Sequence, residues 1–236
     1  MTAQQEITYA TANGSGWYTE VWCDLELIQD LLVLMGKTLD TRTAFGVGNC
    51  DGYTDNSTLN SGFEYHYGML KPGSMNTKGL FWGKNVSSYG SGYRTGVKVF
   101  GMEDLWANQF RRFAGMINDW GAIKIKKCYG TSDGSTTENY NTTGSGYIDT
   151  GVKLTASGYL SKRDYSVGSN IPSAVSGSLT TYYCSYASIS NLRACYAYFG
   201  GRCGTSVNPK DGAFSIYISA SGSSADWYTG TALSYK

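Results

Sequence analysis

With 236 residues and 41% hydrophobic side chains, the chain is long enough to bury a core of its own. A formal net charge of +1 offers no cationic grip for nucleic acid or for an anionic membrane surface, so neither is expected as a partner. Thirty-one glycines against three prolines speak for tight turns, and twenty tyrosines exceed what a core can hold, because each buried hydroxyl needs a partner.

The opening "MTAQQEITYATANGSGW" has no basic stretch followed by an apolar one, so no cleaved export signal is expected, and residues 1–16 read as an attachment segment. "TEVWCDLELIQDLLVLMGKTL", Thr19 to Leu39, places Val21, Trp22, Leu25, Ile28, Leu32 and Met35 at helical spacing, with Gly36 as the stop. Its longest apolar run, Leu31 to Met35, is far too short to cross a bilayer, so no membrane insertion is expected. Asp40 to Tyr93 is rich in Gly, Asn and Ser and reads as loops and brief strands. A strand is expected over Val97–Phe100 and a second helix from Glu103 to Ile117, with Glu103 and Asp104 suiting its N-terminal dipole. Leu105, Gln109, Arg112 and Met116 fall on one stripe of that helix, and Trp106, Phe110 and Phe113 on another that faces the core.

From Asp119 onward strand signals dominate, in "WGAIKIKKCYG", "GYIDTGVKL", "GAFSIYISAS" and "GTALSYK", with Phe214, Ile216 and Ile218 alternating as in a half-buried strand. Two helices early and strands later give an α+β class, and Gly130–Gly146 reads as a surface loop within a single domain spanning 1–236.

Catalytic chemistry is missing. His66 is the only histidine and has no Ser or Cys motif beside it, and no phosphate loop or nucleophile elbow is present. "DGYTDNS" at Asp51 lacks the remaining ligands of an EF-hand loop. The six cysteines, Cys23, Cys50, Cys128, Cys184, Cys195 and Cys203, lack zinc-site spacing and are expected to be buried free thiols. No enzyme, metal or cofactor is expected.

Three stretches carry a resemblance. "GMEDLWANQFRRFAGMI" resembles the G-x-E-D-L-W-G-N-x-W segment of the formylglycine-generating-enzyme-type C-type lectin fold. "FGG" at Phe199–Gly201 with "DGAF" at Asp211–Phe214 is similar to that fold's GG-S-W-N-x-G…AG-F stretch, and "WYTGTALSYK" to its N-x-G-x-R-L ending. In particular the chain is similar to variable proteins of diversity-generating retroelements carried by gut bacteriophages. Ala107 stands where the family often has Gly, Gln109 and Phe110 replace a Val-Trp pair, Cys203 lies near a usual Trp, and Thr231 replaces a closing Arg. The calcium-and-sugar signature of C-type lectins and the close cysteine pair of the formylglycine-generating enzymes are absent, so neither activity transfers.

The resemblance implies a C-type lectin-like fold with two helices, a small antiparallel sheet and long glycine-rich loops. It also implies a non-catalytic receptor-binding protein at a tail-fibre tip of the virion, made in the host cytoplasm. The protein would be a homotrimer or attached to other tail-fibre proteins, and its partner a protein or glycan on the bacterial surface. A structural virion protein, such as a head fibre or decoration protein, and a bacterial surface adhesin are the alternatives.

Residues 182–228 would form the variable binding region. After Glu138 the chain has no Glu, Gln, Met or His, and its loops use Tyr, Ser, Gly and Asn. Tyrosine gives a large amphipathic contact with two torsions to freeze, while Ser, Gly and Asn adapt their hydrogen bonds. In the retroelement family mutation is directed to adenines, and altered Asn codons yield this vocabulary. The expected contacts are Ser185, Tyr186, Ser188, Ser190, Asn191, Tyr196, Tyr198, Arg202, Cys203, Thr205, Ser206, Asn208 and Lys210. Tyr182, Tyr183 and Trp227 are expected to pack within the scaffold.

Overall fold

Residues 1–49, 70, 72–84, 96–126, 141–190, 193–194, 197–199, 211–225 and 229–235 are described by a computed structural model. The chain begins with α1 (Ala3–Ala12), where Thr2 and Gln5 form a reciprocal capping box that satisfies two otherwise orphaned N–H groups. Ala3, Ile7 and Ala10 form its buried face, and a small cluster joins Ala3 and Ile7 to Val21 and Ala114, so the expected attachment segment is packed into the fold. β1 (Trp17–Thr19) leads into α2 (Trp22–Gly36), which stops where Lys37 turns left-handed at φ 51°. α3 (Thr41–Phe45) is capped by the Asp40 carboxylate, which accepts from the Arg42 and Thr43 N–H groups.

Short strands follow. They are β2 (Lys98–Val99), β3 (Met102–Glu103), β4 (Phe110–Phe113), β5 (Met116–Asp119), β6 (Ala122–Ile125) and β7 (Ile148–Lys153). Next come β8 (Gly158–Tyr159), β9 (Lys162–Asp164), β10 (Ile171–Ala174), β11 (Tyr186–Ile189) and β12 (Arg193–Ala194). The last are β13 (Ala197–Phe199), β14 (Ile216–Ile218), β15 (Thr229–Thr231) and β16 (Leu233–Tyr235). The class is mixed α and β, with three helices and many short strands among the described residues.

The largest sheet has six strands in the order β15-β4-β13-β14-β11-β8. It is mixed rather than small and antiparallel as expected, because β15 runs parallel to β4 and β11 parallel to β14. A four-stranded antiparallel sheet, β12-β5-β6-β7, lies beside it. Its β5–β6 hairpin turns on Trp120 and Gly121 at φ 57° and 93°, the double left-handed geometry that suits the twist of paired strands. One apolar cluster joins Trp22, Leu25 and Leu32 of α2 to Trp106, Phe113, Met116, Ile123, Ile216 and Ile218. Gly46, at φ 120°, touches Gly83 so closely that a Cβ would overlap the Gly83 carbonyl.

The second expected helix does not form. Glu103–Ile117 instead carries β3, a left-handed turn and the strands β4 and β5. Asp104, Ala107 and Asn108 all have positive φ (50°, 62° and 58°), which no right-handed helix accommodates. Trp106, Phe110 and Phe113 are buried as expected, but from a turn and a strand. The Glu103 carboxylate does not face a helix dipole: it accepts the Gly73 and Met75 N–H groups at 2.7 and 2.9 Å.

The cysteine expectation holds for Cys184, which is free and buried, and fails for Cys23, which is disulfide-bonded. Met35, at helical spacing with Leu25 and Leu32, is exposed where they are buried. Tyr182, expected in the scaffold, is 59% exposed, whereas Tyr183 is half-buried with its ring edge-on to Phe214 at 4.9 Å. His66, Asp51, Cys50, Cys128, Cys195, Cys203 and Trp227 lie outside the described residues.

Candidate functional site

The six-stranded sheet has two unlike faces, set by alternation along its strands. Ala187 of β11 and Ile216 and Ile218 of β14 are buried in the core cluster. Between them, Tyr217 points the other way and packs on the Phe110 ring at 4.8 Å. In register, Ser188 of β11 lies opposite Tyr217, and Tyr186 lies opposite Tyr159 of β8. Residues opposite one another share a face, so Tyr159, Tyr186, Ser188 and Tyr217 line the side turned away from the core. Tyr159 and Tyr186 meet edge-on, 5.3 Å between ring centres and 89° between planes. The backbone of Tyr198, on β13, pairs with Tyr217 on one side and Arg112 on the other.

This face is half-buried, with phenols whose apolar bodies are packed. Burial pushes the Tyr159 hydroxyl above its usual value, Arg42 pulls it back, and Tyr186 and Asp211 push it further up, so it remains a neutral donor and acceptor. The packed rings present aromatic surface and phenol hydroxyls on one side of the sheet.

Of the expected contacts, Tyr186, Ser188 and Ser190 are half-buried on or beside β11. The Ser190 hydroxyl donates to the Ser219 carbonyl at 3.3 Å, and its own carbonyl is held by Asn118. Ser185 points inward: it is fully buried and its hydroxyl donates to the Tyr183 carbonyl at 3.0 Å. Tyr198 is placed by its backbone register. Asn191, Tyr196, Arg202, Cys203, Thr205, Ser206, Asn208 and Lys210 lie outside the described residues. Sequence reasoning missed Tyr159 and Tyr217. The alternation of Ile216 and Ile218 already assigned Tyr217 to the opposite face, whereas nothing local links Tyr159 to β11.

A second concavity, about 390 Å³, lies near the left-handed turn between β3 and β4, lined by Glu103, Asp104, Gln109, Arg111 and Thr231 among others. The Asp104 carboxylate accepts the Val97 N–H at 3.3 Å and the Asn108 amide at 3.0 Å, yet burial pushes its pKa from 3.8 to about 7. A raised acid stabilises the fold fully below its unfolded value and loses that contribution as pH climbs through about 7. Stability is therefore expected to be greater at pH 5.5 than at pH 8, with about 1–2 kcal/mol of the difference due to Asp104. Urea midpoints at the two pH values measure it. Asp104→Asn, which keeps an acceptor for Val97, should flatten the slope, and an unchanged slope would remove the assignment.

Among the described residues no group of three or more His, Cys, Asp or Glu could hold a metal ion. None of their helices is long and apolar enough to cross a membrane. No protein-family model and no curated protein matches the chain.

Proposed function

We propose that this is a C-type lectin-like, non-catalytic receptor-binding protein of a bacteriophage, displaying a Tyr- and Ser-rich surface to a protein or glycan on the host cell. The observation that carries the reading is the row of Tyr159, Tyr186 and Tyr217 on the outward face of the central sheet. Tyr186 lies on β11, which ends just before residues 191–210, whose Tyr, Ser, Gly and Asn composition suits adaptable contacts. The fold assignment is supported by where the three resembling stretches meet: β4 from "NQFRRF" lies between β13, which ends at "FGG", and β15 from "WYTGT". β14, just after "DGAF", closes the group on the far side of β13. Display as a trimer or on a fibre would multiply a modest single-site affinity.

Tyr196→Ala, Tyr198→Ala and Arg202→Ala combined are expected to reduce adsorption to host cells at least tenfold with little change in melting temperature. Such loops concentrate affinity in a few aromatic and Arg anchors. Adsorption equal to wild type with defective virion assembly would sink the receptor reading in favour of a structural virion role. Export of the protein to a bacterial surface, with no virion association, would favour an adhesin.

A further inference from the structure

α2 is apolar on both sides. Trp22, Leu25 and Leu32 are sealed against the core, with Gln29 among them donating to the Ala213 carbonyl. On the opposite side Leu27, Leu31, Leu34 and Met35 are exposed, Leu27 by 62% and Leu34 by 72%. A helix at a protein surface ordinarily turns charged residues to water, and one that is apolar all round is ordinarily covered all round. Each acid of this helix has a polar partner, and only Asp30, exposed beside Leu27 and Leu34, borders the bare side. Asp24 is bonded to Tyr18 and Ser234, Glu26 accepts from Ser169 and Asn170, and Asp30 accepts from the Asn170 amide.

The bare stripe continues beyond the helix. Met35 and Phe81 line one cleft of about 340 Å³ together with Phe45 and Trp82, and Leu80, next to Phe81, is 67% exposed. From their exposures, Leu27, Leu31, Leu34, Met35, Leu80 and Phe81 offer on the order of 600 Å² of apolar surface, near the upper end for the largest patch on a monomer. With a rim, that approaches the roughly 800 Å² per partner of a stable protein interface. Leu27, Leu31 and Leu34 are spaced by four and then three residues, the seam along which one helix packs against another of the same kind.

We propose that this face is a self-association surface, covered by the same face of a second copy of the chain. A like copy supplies a leucine seam of equal length, with Asp30 at the flank of the stripe and Lys84 at the cleft left to the rim. The surface is formed by α2 and residues 80–81, not by the tyrosine row, so it stands independently of the receptor reading.

The test is mass in solution, by light scattering on the eluting full-length protein from about 1 to 100 µM, a range in which interfaces of this size commonly form. Wild type is expected to elute as two or more copies and Leu27→Glu/Leu34→Glu as one, its dissociation constant raised at least about 100-fold by charges with no partner. Both side chains already face solvent in the single copy, so the variant's circular dichroism should match wild type. Leu31→Cys should cross-link to a second copy on oxidation, whereas Tyr165→Cys, more exposed but elsewhere, should not. A single copy for wild type at the highest concentration overturns the proposal. So does an assembly that survives the two glutamates, or wild type remaining a single copy while it binds neutral phosphatidylcholine vesicles.

Discussion

Arg112→Ala should destabilise the protein by about 3–5 kcal/mol, the range for stranding one member of a buried ion pair. Arg112 and Glu6 are both almost completely buried, and the guanidinium meets the carboxylate at 2.7 Å. The same guanidinium donates to the Met1 carbonyl at 3.2 Å and the Ser224 carbonyl at 2.9 Å. One side chain on β4, inside the largest sheet, thus fastens both the start of α1 and the turn at 221–224. Its loss strands Glu6 in a site where burial already holds the acid above its ordinary pKa against the pull of Arg112. Because a carboxyl raised in the folded state favours folding at low pH, the penalty should shrink as the medium is acidified and Glu6 takes up a proton. Urea midpoints at pH 5 and pH 8 measure both effects, and early proteolysis within residues 1–16 would report the undocked helix. Glu6→Leu combined with Arg112→Met should recover much of the loss, since an apolar pair of similar volume carries no unpaired charge. A single variant within about 1 kcal/mol of wild type would show that the pair holds nothing together.

The sequence made α2 legible because the pattern of apolar residues at helical spacing is long and ends at a glycine. It made the strands near Ala122, Ile148 and Ile216 legible because alternation there is uninterrupted. Residues 103–117 misled because Trp106, Phe110 and Phe113 are spaced as on a helix while the backbone between them turns left-handed at Ala107 and Asn108. Side-chain periodicity does not report that backbone angle, and neither residue is a glycine that would have announced it. The short α1 escaped because its apolar face is made of alanines and one isoleucine, too weak a contrast to stand out until Val21 and Ala114 cover it. The tyrosine row was half legible. Composition singled out Tyr186, whereas Tyr159 joins it through pairing of β8 with β11, a relation between segments about 27 residues apart that no local pattern encodes.

Asn118→Leu should be nearly as severe as the loss of Arg112, and its damage should fall on the proposed binding surface. Asn118 is fully buried at the centre of β5, and its amide donates to the Ser190 carbonyl at 3.0 Å and the Ile218 carbonyl at 2.8 Å. Its own carbonyl accepts the Gly121 N–H at 2.7 Å, bracing the β5–β6 turn. One side chain therefore ties the ends of β11 and β14, where the larger sheet stops, to the hairpin of the smaller one. Leucine fills a similar volume and removes three hydrogen bonds at once, to the Ser190 and Ile218 carbonyls and from the Gly121 N–H, at a combined cost of about 3–5 kcal/mol. Asn118→Asp should be no better near neutral pH, because it keeps the acceptor for Gly121 but sets a carboxylate against two carbonyl oxygens. Ser190 lies directly before Asn191 and the Tyr-rich segment, so releasing its carbonyl loosens the end of β11 next to that segment. Binding of purified Asn118→Leu protein to host cells, measured well below its melting temperature, should therefore fall several-fold although the core remains folded. Normal binding by a destabilised variant would separate the scaffold from recognition, and normal stability would mean that the three hydrogen bonds carry no net weight.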